Sequence, residues 1–230
     1  MLFLLEYNGA MKYGESAFDI LYLLFAVSFG VVLLIKKKDK IGLLFGAMTL
    51  VLGIGDAFHL VPRVISYFAG DELIFYKGLG KLITSITMTV FYVLLELARR
   101  RVAKEERKWP IYTMVVLAVF RIVLCAFPQN EWFVSPSSYL WGILRNIPFV
   151  LMGGLTVYLW FSTLRKEKPF DFVYLLVALS FAFYLVTVLG APYVPILGMM
   201  MLPKTLCYMA MVIIFYLYER RQKDDIKPIG

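Results

Sequence analysis

The chain has 230 residues, 61% of them hydrophobic and 17% charged, with a formal net charge of +8. Soluble domains hold about 45–50% apolar residues, so a soluble core of this size cannot take the excess. The apolar residues come in long runs, which excludes the short alternating strands of a membrane β-barrel; most of the basic residues fall between the runs, which argues against a nucleic-acid footprint.

A run of about 18 or more apolar residues is long enough to cross a bilayer as a helix. Seven such runs are predicted, over residues 16–35, 41–68, 76–97, 109–127, 138–164, 170–189 and 194–218. The start of the chain carries Glu6 and Glu15 and no basic region, so no secretory signal peptide is expected. The first run stops at Lys36, where KKKDK begins. The third stops before RRRVAKEERK (99–108) and the fifth before RKEK (165–168). Pro128, Pro136, Pro192 and Pro195 mark the turns on the opposite side. Cys125 and Cys207 lie within apolar runs without metal-ligand spacing and read as buried thiols.

Orientation follows from the basic residues, which concentrate in cytoplasmic loops. Seventeen of the 24 lysines and arginines fall in stretches 36–40, 99–108, 165–168 and 220–227. The other side holds Lys12 and Lys77 beside Glu6, Glu15, Asp19, Asp71, Glu72 and Glu131. The expected fold is therefore all-α: one seven-helix transmembrane bundle, N-terminus outside and C-terminus cytoplasmic. The absence of any N-x-S/T sequon fits a bacterial cytoplasmic membrane. The segment ERRQKDDIKPIG reads as a short solvated tail, with a stop-transfer anchor as the bland alternative.

Five cations remain inside the runs: Arg63, Lys81, Arg121, Arg145 and Lys204. Each costs roughly 2.5–3.5 kcal/mol at a helix centre, so each is a functional candidate. All five are expected on the outer side of the midplane. In GDAFHLVPR, Asp56, His59 and Arg63 have the i, i+3, i+7 spacing of one helical face, and Pro62 interrupts the hydrogen-bond ladder. The third run presents Lys77, Lys81, Thr84, Ser85 and Met88 at helical spacing. The fifth offers Trp141, Arg145 and Asn146, and the seventh Met201, Lys204, Thr205 and Tyr208. Together they could line one outward-facing, water-filled cavity. The nearby acids are Asp56, Asp19 and Glu15; pairing them singly leaves two cations free. That surplus calls for an anion, either a carboxylate, a phosphate or a lipid head group. The expected ligand-binding set is thus Asp56, His59, Arg63, Lys81, Thr84, Ser85, Arg121, Arg145, Asn146, Lys204 and Tyr208, with no metal and no cofactor. Asp56 and His59 would form a proton-linked pair. The bland alternative is that the cations form structural ion pairs or snorkel to the interface.

Three resemblances bear on function. The run LVLGIGDAFHL, followed by a helix ending VFYVLL, resembles the Gly-Asp helix of lysoplasmalogenase-type membrane hydrolases. That resemblance implies aspartate chemistry with Asp56 as the first acid. The family's later Ser-Asp element has no counterpart in LSFAFYLVTVLG, so Asp56 and His59 would have to act as an acid–base pair on water. Gly80-Lys81 leading to Phe91-Tyr92, and Pro203-Lys204 leading to Phe215-Tyr216, suggest a repeat of helices one to three in five to seven. A three-plus-one-plus-three layout is similar to PQ-loop and sugar-porter transporters. Lys204 near the middle of the seventh run resembles the retinal lysine of microbial rhodopsins, but the third run carries no acidic counter-ion. His59 is the only histidine, which excludes multi-histidine metal sites such as those of alkaline ceramidases.

The expected function is binding of a small anion from outside, by a proton-linked transporter or a ligand-binding membrane protein. An intramembrane lipid hydrolase and a partner subunit of a membrane complex are the alternatives.

Overall fold

A computed structural model describes the backbone of residues 2–37, 39–69, 73–135 and 137–224, with side chains from residue 11 to residue 221 of those stretches. The expected residues Asp71, Glu72 and Pro136, the side chain of Glu6 and the end of the tail lie outside the described residues. Seven long helices carry the chain: α1 (Leu2–Lys36), α2 (Lys40–Ala69), α3 (Ile74–Val102), α4 (Trp109–Ala126), α5 (Tyr139–Leu164), α6 (Val173–Gly190) and α7 (Met201–Asp224). All seven are long and apolar enough to cross a membrane, and the described residues contain no strand. Such apolar helices suggest a lipid bilayer as their surroundings.

The largest departures from the expected boundaries are in α1 and α7; α3 also runs on to Val102, five residues past its predicted run. Helix α1 begins at Leu2, well before its apolar run, because no proline interrupts residues 2–15. Helix α7 begins at Met201, and the expected start of that run is instead a 3-10 segment, Pro195–Met200. Pro203 then falls in the first turn of α7, where a missing N–H removes no intrahelical bond.

The helices form a ring in chain order, each packed beside its sequence neighbours, and α7 closes the ring on α1. Helix α3 also touches α5 behind α4, and α2 touches α7 across the centre. The core is largely aromatic. Phe45 stacks on Phe215 at 4.5 Å between centroids, while Phe91, Tyr92, Phe149 and Phe181 interlock nearer the middle. Cys125 and Cys207 are buried and unbridged, as expected.

The α2–α3 interface depends on small residues, which let membrane helices approach closely. Thr84 Oγ1 donates to the carbonyl of Gly55 at 2.9 Å. Pro62 has no N–H, so the Phe58 carbonyl loses its partner within α2. Gly80 of α3 lies against that carbonyl, and a Cβ there would overlap it and His59 Cα. Gly80→Leu is accordingly expected to lower stability by about 1–3 kcal/mol through overpacking. Gly154→Leu, at a glycine with open space around it, is the matched control. Thermal melts of the two purified variants test this; equal melting temperatures would contradict the close approach.

The end of the bundle where α1, α3, α5 and α7 finish carries the basic stretches. There Arg99 and Glu96, both with no exposed side-chain surface, form a bidentate pair at 2.7 and 2.8 Å. Arg99 also donates to Thr163 on α5 at 3.1 Å. Beyond the helix, Glu105 accepts hydrogen bonds from the Arg107 side chain at 2.7 and 2.8 Å, and Arg100 donates to the Arg107 carbonyl. Those Arg107 bonds hold the Glu105 carboxyl down at about 2. Its contribution is present above the ordinary carboxyl value and is lost as pH falls through the folded one.

Candidate functional site

At the opposite end, four pieces of chain enclose a cavity of about 850 Å³. The first two turns of α3 supply Lys77, Gly78 and Lys81. The α4–α5 connection supplies Trp132, and the start of α5 supplies Arg145 and Asn146. Tyr184 and Val188 of α6 close the remaining side. Lys77 and Lys81 are four residues apart and so share a face of α3. Among the described residues, no acid lines this space.

Arg145 is held in place by the connection preceding α5. Asn130 is fully buried, and its amide donates to the carbonyls of Leu124 and Phe127 at 2.7 and 2.8 Å. Those carbonyls belong to the end of α4, where helical partners run out. The Asn130 side-chain oxygen then accepts from Arg145 Nη1 at 2.9 Å. Trp132 donates from its indole to the Cys125 carbonyl at 2.9 Å and lays its ring 4.2 Å from the Arg145 guanidinium. Gly78 makes room for this fold, since a Cβ there would overlap the Trp132 carbonyl. The guanidinium thus has an aromatic wall and one neutral acceptor, which leaves its charge uncompensated.

The floor is Asn146. Its amide donates to the Gly142 carbonyl at 2.8 Å, and its oxygen accepts from the Tyr184 hydroxyl at 2.7 Å. Two further cations lie around Tyr184. Lys204 Nζ sits 5.5 Å from the Tyr184 ring and 5.2 Å from the Tyr208 ring. Arg121 lies 3.5 Å over Phe149, whose ring meets Tyr184 edge-on at 5.5 Å. Arg121 and Lys204 are 2% and 7% exposed. Neither has a carboxylate within 4 Å among the described residues, and Arg121 Nε and Nη1 are buried without a partner. Tyr208 and Tyr92 share a hydroxyl contact of 3.1 Å beneath them.

The remaining expected residues take other parts. Arg63 does not join the cavity; it binds Asp19 at 2.6 Å and Glu15 at 3.4 Å, and Tyr67 donates to Glu15 at 2.8 Å. Asp56 accepts from Tyr22 on α1 at 2.6 Å. No hydrogen bond joins Asp56 to His59, whose Nδ1 is buried without a partner. Thr84 bonds α2, Ser85 donates to the Lys81 carbonyl one turn back, and Tyr208 is buried, so none of the three lines the cavity.

The one-to-one pairing of acids and cations therefore has to be corrected. The guanidinium fork of Arg63 engages two carboxylates, and the third acid is engaged by a tyrosine. Four of the five cations within the apolar helices, Lys81, Arg121, Arg145 and Lys204, stand without an acid within 4 Å among the described residues, rather than two. Sequence reasoning missed Asn130, Trp132, Tyr184 and Tyr22. Lys77 was visible on the α3 stripe, but its place in the cavity depends on the α4–α5 connection folding inward. Comparison of the chain with models of known families, with characterised proteins and with solved structures finds no match.

Proposed function

We propose that this is a multi-pass membrane protein, N-terminus outside and C-terminus cytoplasmic, that binds a small anionic ligand in the outward-facing cavity. The observation carrying the reading is the convergence of Lys77, Lys81 and Arg145 on one space whose described lining holds no acid. Cations brought together without counter-charge repel one another, and a carboxylate or phosphate removes that repulsion. The cavity volume falls in the usual range for small-molecule sites, roughly 300–1,000 Å³. Arg121 and Lys204 form a second cationic tier behind Tyr184 and Asn146, suited to passing the anion inward in a transporter. Asp56 and His59 are candidates for linking that step to a proton. The ring of positive charge on the other face supports the assigned orientation.

Arg145→Gln and Lys81→Gln test the reading. Each removes one charge-assisted hydrogen bond, worth about 1.5–3 kcal/mol, so each is expected to weaken anion binding about 10- to 100-fold. Titration of the protein in nanodiscs with phosphate and carboxylate compounds measures it, with proteoliposome uptake as the transport assay. Binding unchanged in both variants would remove the cavity from consideration. Uptake no greater than in empty liposomes, with binding intact, would leave a binding protein and remove the transporter.

A further inference from the structure

The cavity has a neighbour of opposite character. Between α5 and α6 lies an apolar groove of about 210 Å³, lined by Ile143, Ile147, Val150, Leu151, Leu185 and Leu189. The groove and the cationic cavity share two lining residues, Asn146 and Val188. The two spaces thus adjoin at these residues. Ile147, Leu151 and Leu189 are 50%, 55% and 47% exposed, so the groove opens sideways from the bundle, in the direction a bilayer would occupy. From Ile143 to Leu151 it follows α5 for about 12 Å at 1.5 Å per residue.

We infer that the occupant of this double site is an anionic membrane lipid, its phosphate head in the cationic cavity and one acyl chain in the α5–α6 groove. The inference rests on the anion-binding reading above and deepens it by assigning the ligand class. Charge complementarity selects the head: Lys77, Lys81 and Arg145 face it, and no described lining residue opposes it. Continuity selects the tail. A water-soluble anion would leave an apolar groove beside its own site, whereas a lipid covers both surfaces with one molecule. The lateral opening lets the ligand arrive from the bilayer without leaving it. Asn146 sits at the junction and, held by Tyr184 and Gly142, is the positioning residue for the point where head meets chain.

The test uses the full chain in detergent micelles and isothermal titration with three probes: dioleoyl phosphatidic acid, dioleoyl phosphatidylcholine and glycerol 3-phosphate. Phosphatidic acid is expected to bind at least about tenfold more tightly than glycerol 3-phosphate, because a chain buries apolar surface that the free head lacks. It is also expected to outbind phosphatidylcholine, whose choline brings a positive charge to three cations. Ile147→Trp and Leu151→Trp, both at outward-facing positions, should fill the groove and weaken phosphatidic acid about fivefold or more while leaving glycerol 3-phosphate within about twofold. Arg145→Gln should weaken both. Equal affinity for the lipid and the free head, with no effect of either tryptophan, overturns the lipid inference and leaves the anion site standing. Equal affinity for the two lipids overturns the choice of head. No binding of any probe overturns the anion-binding reading itself.

Discussion

Glu96→Ala is expected to destabilise the protein by about 3–5 kcal/mol, the cost of removing one partner from a buried ion pair. Arg99 would keep its hydrogen bond to Thr163 and a carboxylate oxygen of Glu105 at 3.9 Å. Neither replaces the bidentate contact, and the guanidinium has no exposed surface through which water could reach it. The full cost should therefore be seen, as a melting temperature many degrees below wild type and a poor yield of monodisperse protein. Removing both charges is a different experiment. Glu96→Leu with Arg99→Met takes away the attraction and the desolvation together, and should return stability to within about 1–2 kcal/mol of wild type. If the double variant melts no higher than Glu96→Ala, the loss arises from packing at the α3–α5 contact and the ion-pair account fails.

Arg121→Met should move stability the other way. A paired cation stabilises through its partner; Arg121 is buried, has no acid within 4 Å among the described residues and leaves two guanidinium nitrogens without a hydrogen bond. Its contact with Phe149 at 3.5 Å offsets only part of the desolvation cost. Methionine fills much of the same volume and carries no charge, so a gain of about 1–4 kcal/mol is expected. Anion uptake should fall at the same time if the second tier carries the ligand inward. A rise in melting temperature with a loss of uptake is the pattern of a residue kept for function at the expense of stability. A fall in melting temperature would mean that Arg121 is a structural element of the core.

The seven helices were legible because each membrane span needs its own apolar run, and charge clusters must interrupt those runs. The inward-turned α4–α5 connection was not legible. Its order comes from Asn130 and Trp132 finding the carbonyls at the end of α4, and neither residue stands out among loop residues. Arg63 illustrates the opposite difficulty. It was prominent on the Asp56–His59–Arg63 stripe, yet the stripe placed it on a helical face without saying which helix lay opposite. Helix α1 supplies Asp19 and Glu15 there, and the charge is consumed. The pair Glu96–Arg99 has the i, i+3 spacing of helical neighbours, but Arg99 also begins a basic run, so the sequence places it in a loop. Only the continuation of α3 to Val102 brings it inside the bundle.

By itself the sequence determined the number of helices and the set of cations that fall within their apolar runs, because apolar runs and the charges inside or between them are written directly in the chain. Which of those cations stay unpaired was decided by tertiary structure alone. Pairing depends on distances between helices that are far apart in the chain: α1 with α2 neutralises Arg63, while α3, α5 and the connection before α5 bring Lys77, Lys81 and Arg145 together with no acid among them.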